Sequence, residues 1–186
     1  SDMGGSLRNP ASFCNVVGFR PSAGRVPSIP SEAGWFNLPT SGPMARTVED
    51  CALLLAAIAG PDQRAPLSIQ ASGREFLTPL DRDFKGVRVA LSADFDGQIP
   101  VDSEVKEVIR RAAQPLSDIG CEVDDHCPDF SGARDAFHVL RAQAFAAGRG
   151  GLLDEHRDLL KWEIIWNIEA GRALDVDDIT RANAAR

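Results

Sequence analysis

The chain has 186 residues, of which 44% are apolar and 25% charged, the balance of a globular protein with a core rather than of a disordered chain. Its 20 Lys and Arg against 27 Asp and Glu give a net charge of −7, which disfavours nucleic acid and anionic membrane as partners, since both select a basic face. The longest apolar run, Cys51 to Ala59, is far shorter than the roughly 18 residues of a membrane span, and no basic-then-apolar leader opens the chain. Four cysteines, at 14, 51, 121 and 127, form neither a CxxC pair nor a dense framework, so the expectation is reduced thiols in a cytoplasmic setting.

Residues 1–45 carry 6 Pro and 6 Gly but only 5 charges, whereas the other 141 residues carry 42. Backbone so rich in turn formers and so poor in charge reads as irregular structure packed against something, a setting in which sites are often built. Thr47, with Asp50 three residues on, starts a helix that runs to about Ala59 and stops at Gly60-Pro61. Residues 61–86 read as a loop with one helical turn near Ser72–Thr78. Val87 to Leu91 alternates and reads as a strand. Asp102 or Ser103 caps a helix whose stripe is Val105, Val108, Ile109, Ala112, Leu116 and Ile119, ended by Gly120, with a second strand at Cys121–Val123. That order predicts a right-handed parallel crossover. Helices follow at about 132–147, 152–170 and 176–186; both ends of the chain read as cut from a longer one.

The densest chemical signal is Ser1-Asp2-Met3-Gly4-Gly5-Ser6-Leu7-Arg8-Asn9-Pro10. Two glycines before a serine permit positive φ and let backbone N–H groups converge, which makes an anion-binding nest with a hydroxyl at its lip. Gly-Gly-Ser alone also describes a plain flexible turn. The histidines, 126, 138 and 156, sit in no site-like context, so a nucleophilic Ser6 would take a lysine rather than a histidine as its base.

Asp-x-Gly-Gly-Ser-[Ile/Leu]-Arg-x-Pro resembles the hallmark of the amidase signature family. The likeness continues through Ala11, Cys14, Val16 to Ser22 and Gly24 to Val26, and resumes at Gly42-Pro43-Met44-Ala45-Arg46-Thr47-Val48-Glu49-Asp50. It implies an α/β fold: a mixed or parallel sheet core flanked by helices, cut from a larger single domain, with residues 1–60 as signature region and 61–186 as an α/β and helical part. It further implies a cofactor-free amide hydrolase acting through a Ser–cis-Ser–Lys triad. Ser6 would be the nucleophile, with the N–H groups of Met3, Gly4, Gly5 and Ser6 as oxyanion donors and Asp2 and Arg8 as structural supports. The family's Val-Lys-Asp and Ser-Ser-Gly-Gly motifs do not occur here, and the lysines are Lys85, Lys106 and Lys161 alone. The expectation is therefore an inactive isolated chain from an active parent that cleaves a small-molecule amide.

Trp35, Phe36 and Leu38 lie between the two family-like blocks and are candidates for a substrate wall. They differ from the Ser-Ser-Leu-Asp-Gln pattern expected of amidotransferase A-type subunits, which makes that subfamily the alternative, beside a non-catalytic anion-binding module. Cys14 reads as a small buried residue, and Arg110, Arg111 and Arg141 as solvated helix faces. The spacing of Cys121, Asp124, Asp125, His126 and Cys127 fits no zinc pattern. The apolar run Leu159 to Ile168 reads as helix core, with a dimer face as the sharper option, and self-association would cover strand edges left open.

Overall fold

The computed structural model describes residues 1–29 and 33–186, and the chain divides into two compact units. The first comprises residues 1–80 and 137–184, the second residues 81–136 with 185–186. The fold is α/β, with its strands in two separate two-stranded sheets, one in each unit.

In the first unit, helix α1 (Arg8–Phe13) leads into strand β1 (Val17–Gly18), which pairs antiparallel with β2 (Met44–Ala45) in the register Val17 to Ala45 and Gly18 to Met44. Helix α2 (Val48–Ile58) starts where the sequence places it: the Thr47 side chain accepts from the Asp50 N–H at 3.1 Å. A 3₁₀ turn at Gly73–Leu77, capped by Ser72, packs on α2. The long helix α5 (Ala133–His156), of which Ala133–Ala136 fall in the second unit, is followed by α6 (Trp162–Arg172) and α7 (Val176–Ala185). The core of this unit gathers Leu7, Ala11, Cys51, Leu55, Leu140, Ala142, Leu153 and Ile168.

In the second unit, β3 (Arg88–Leu91) and β4 (Glu122–Asp125) pair in parallel, Arg88 to Glu122 through Leu91 to Asp125, as the strand–helix–strand order predicts. The connecting helix is not continuous. It divides at Ala112 into α3 (Ser103–Arg111) and α4 (Ala113–Asp118). Pro115 has no N–H to offer the Arg111 carbonyl and its ring crowds that carbonyl, so the ladder breaks one turn earlier. The predicted stripe is only partly covered: Val105, Val108 and Ile119 are 47%, 59% and 51% exposed, because a two-stranded sheet offers too little surface for about four turns of helix.

The second departure concerns residues 147–152. The run Gly148-Arg149-Gly150-Gly151 predicts a break, yet α5 passes straight through it and ends at His156 instead. A helical glycine costs about 1 kcal/mol relative to alanine, which tertiary contacts outweigh here. Gly150 is buried and its carbonyl accepts from Arg172 Nη2 at 3.0 Å, while that guanidinium also holds Asp154. In the partner helix, a Cβ on Gly171 would stand 2.0 Å from the Ala142 oxygen, so α5 and α6 approach at a distance only glycine allows. The apolar run before it is split: Ile168 is fully buried, but Leu159, Trp162 and Trp166 are 77%, 71% and 54% exposed.

Two substitutions separate these roles. Gly171→Ala should lower the urea midpoint by an equivalent of about 1–3 kcal/mol, the usual cost of overpacking a tight contact. Gly151→Ala, where an added Cβ meets nothing within 4 Å, should instead stabilise by up to about 1 kcal/mol.

Candidate active site

The Asp2 side chain is fully buried, and five donors converge on it. Oδ1 accepts from the Gly5 N–H at 2.7 Å and from Arg8 Nη2 at 3.0 Å. Oδ2 accepts from Arg8 Nε at 2.9 Å and from the N–H groups of Leu7 and Arg8 at 3.2 and 3.4 Å. The Arg8 fork is thus bidentate, the strongest pairing a carboxylate makes with a side chain. The Asp2 backbone bridges Thr40 in both directions, N–H to O at 2.8 Å and back at 3.0 Å. Arg20 donates through Nε to the Asp2 carbonyl at 3.3 Å and through Nη2 to the Leu38 carbonyl at 2.6 Å. One residue therefore ties together the loop 2–8, Arg20 and the segment 38–40.

The guanidinium of Arg8 holds the Asp2 carboxyl well below the usual carboxylate range. Burial opposes that shift, and the N–H groups of Gly5, Leu7 and Arg8 reinforce it. Asp2 is ionised at any ordinary pH and acts as a fixed anion around which the loop is wound.

Winding the loop this way exposes Ser6. Gly5 and Leu7, on either side, are buried, whereas Ser6 is exposed. Gly5 has φ +117°, which an L side chain rarely adopts, and its carbonyl receives the Asn9 N–H at 2.7 Å to begin the turn into α1. Of the four N–H groups expected as oxyanion donors, that of Gly5 is engaged by Asp2. Those of Met3, Gly4 and Ser6 have no acceptor among the described residues.

A cavity of about 780 Å³ opens on this loop and is lined by Met3, Gly4 and Ser6 together with Phe36, Ser41 and one face of α5. That face presents Phe137, Arg141, Phe145 and Arg149, four residues at a spacing of four. Phe137 Cζ lies 3.3 Å from where a Cβ on Gly4 would stand, so α5 touches the loop directly. The Arg141 guanidinium lies over the Phe137 and Phe145 rings at 5.9 and 5.4 Å, and that of Arg149 over Phe145 at 4.7 Å. Among the described residues the wall contains no lysine or histidine. Lys106, in the second unit, is ion-paired with Asp94.

Several residues lie elsewhere than the sequence suggested. Arg141 is half-buried in the cavity wall, not on a solvated helix face, because the α5 stripe that includes it turns towards the loop of residues 3–6. Cys14 is exposed at the end of α1, where the burial of that helix has already passed to Ala11. Of the wall candidates, Phe36 lines the cavity, Trp35 is 77% exposed and outside it, and Leu38 contributes its carbonyl to Arg20. Phe137, Phe145 and Arg149 carried no signal beyond their repeat of four, which marks a shared helix face but not what that face meets.

Asp2→Ala leaves the Gly5 and Leu7 donors unpaired in a buried place and should cost about 3 kcal/mol in urea unfolding. The contribution of the carboxylate is complete above the unfolded value of about 4 and is lost as pH falls through its lowered folded value. The stability difference between wild type and Asp2→Asn, followed by urea titration from pH 7 downward, should therefore be constant to about pH 4 and shrink below it.

The Amidase family model matches residues 1–175. The A-type subunit of glutamyl-tRNA(Gln) amidotransferase from Bacillus velezensis is 43% identical over 120 residues, 64% of this chain and 24% of that protein. Its namesake from Gloeobacter violaceus is 33% identical over 168 residues, 86% of this chain and 34% of that one. A bacterial aryl acylamidase of the amidase signature family superposes with a TM-score of 0.86 at 27% identity, over 99% of this chain and 40% of that one. The peptide amidase of Stenotrophomonas maltophilia superposes at 0.72 with 25% identity, over 98% and 42%. The chain thus spans about a quarter to two fifths of the length of the proteins it resembles. With nearly all of its residues covered by the family model, and its fold shared with those enzymes, the chain belongs to the amidase signature family.

Proposed function

We propose that this chain carries the nucleophile and oxyanion-binding loop of a serine amide hydrolase that cleaves a carbon–nitrogen bond through an acyl-enzyme. The observation that carries the reading is the exposed Ser6 at the wall of the cavity, on a loop whose neighbouring N–H groups at Met3, Gly4 and Ser6 lack acceptors among the described residues. Ser6 Oγ attacks the amide carbon. The carbonyl oxygen gains negative charge and is held by those donors, each worth about 3–4 kcal/mol of barrier in comparable sites. The amine leaves with a proton, and water hydrolyses the ester to regenerate Ser6. Gly5 serves this indirectly: its N–H keeps Asp2 in place, and Asp2 with Arg8 keeps the loop wound.

An unactivated serine hydroxyl is a weak nucleophile, so Ser6 needs a proton relay. The family resemblance assigns that relay to a lysine acting through a second serine, in motifs that this sequence does not contain. The relay then comes from the remainder of a family-length protein, and the 186 residues alone are inactive.

A second reading is favoured by the two amidotransferase A-type subunits that this chain resembles at 43% and 33% identity. In it, the same acyl-enzyme chemistry releases ammonia for an acceptor on a companion protein. Co-purification of a partner, with amide-dependent ammonia transfer, would select it over simple hydrolysis.

The test is acylation of the family-length protein by a serine-directed fluorophosphonate, located by mass spectrometry. The adduct should fall on Ser6, and Ser6→Ala should abolish it and lower amide turnover by about 10⁴-fold or more. Labelling at another serine with full turnover in Ser6→Ala would overturn the reading.

A further inference from the structure

The α5 face in the cavity goes beyond what an amide bond requires. Phe137, Arg141, Phe145 and Arg149 alternate ring and guanidinium along one side of the helix, in the same wall as Ser6. We infer that Arg141, supported by Arg149, receives a carboxylate of the substrate, so that the enzyme acts on amides that carry an acid group. The inference rests on the proposed amide hydrolysis at Ser6.

Three observations support it. First, both guanidinium groups are in the cavity wall beside the Ser6 loop, where Arg8 is already committed to Asp2. Arg141 and Arg149 lie over rings, and among the described residues neither has a carboxylate partner or a hydrogen-bond acceptor. Secondly, the Arg141 guanidinium lies over two ring faces at 5.9 and 5.4 Å, and a guanidinium on a ring face keeps its N–H groups at its edges. Those edges match the two oxygens of a carboxylate, and holding them in advance lowers the ordering cost of the pair. Thirdly, the chain carries a net charge of −7, so two cations in this wall are not a by-product of a basic composition. Among the described residues the wall includes no Asp or Glu to neutralise them. A cationic substrate group is repelled there and a neutral one gains nothing from the charge.

The experiment uses the family-length protein with Ser6→Ala, which binds without turning over, and titration calorimetry with succinamate and glutaramate against their uncharged methyl esters. At least one acid should bind about 10-fold or more tightly than its ester, with added salt weakening only the acid. Arg141→Met should erase the preference, Arg141→Lys should retain part of it, and Arg149→Met should reduce it. Equal binding of acid and ester, or a preference unchanged in Arg141→Met, overturns the inference. If Arg141→Met fails to fold by circular dichroism, the salt dependence and the lysine variant decide. Failure of the two readings is distinguishable. Absence of a fluorophosphonate adduct on the unmodified Ser6 overturns the hydrolase reading while the binding arm still tests the clamp. Turnover of the ester in preference to the acid overturns the clamp alone.

Discussion

The arrangement around Ser6 depends on a single buried anion. Asp2 collects two side-chain and three backbone donors, and its own backbone is locked to Thr40. A buried carboxylate is tolerated only when its lone pairs are filled, and filling them with N–H groups from positions 5, 7 and 8 forces the chain to curl around it. The curl puts Gly5 and Leu7 inside and Ser6 outside. Exposure of the hydroxyl is thus a by-product of satisfying a charge four residues away, and Gly5 is present because the curl passes through positive φ.

Around that loop, α5 supplies the wall. Its continuity through Gly148–Gly151 keeps Arg149 on the same face as Phe137, Arg141 and Phe145, three turns of helix in one line. A break at the glycines would have turned Arg149 elsewhere. The contacts that hold the helix straight there are distant in sequence: Arg172 on the Gly150 carbonyl and Asp154, and the tight approach of Gly171 to Ala142. The shape of the cavity therefore depends on packing between α5 and α6 well away from Ser6.

What could be read from the sequence divides along the same line. The loop and its supports were legible because their contacts are local: Asp2, Gly5, Ser6 and Arg8 fall within seven residues. So was the start of α2, where Thr47 and Asp50 meet across one turn. The break before Pro115 was in principle legible, since the missing N–H is a property of one residue, but the apolar stripe running past it masked it. The glycines of α5 misled because propensity is a weak local preference and Gly171 and Arg172 lie about twenty residues on. The setting of Arg141 is illegible for a related reason: periodicity shows that Phe137, Arg141, Phe145 and Arg149 share a face, while what the face meets is set by tertiary structure.

The short sequence separation of the Asp2 contacts has a consequence for how such a site is inherited. A loop that closes on its own carboxylate within seven residues, with Arg20 and Thr40 as outer guy-lines, carries the instructions for its own geometry. It is a transferable unit of shape, able to outlast large changes in the protein around it. In the proposed hydrolysis, the proton acceptor that Ser6 needs lies outside this loop, so reactivity has no such local safeguard.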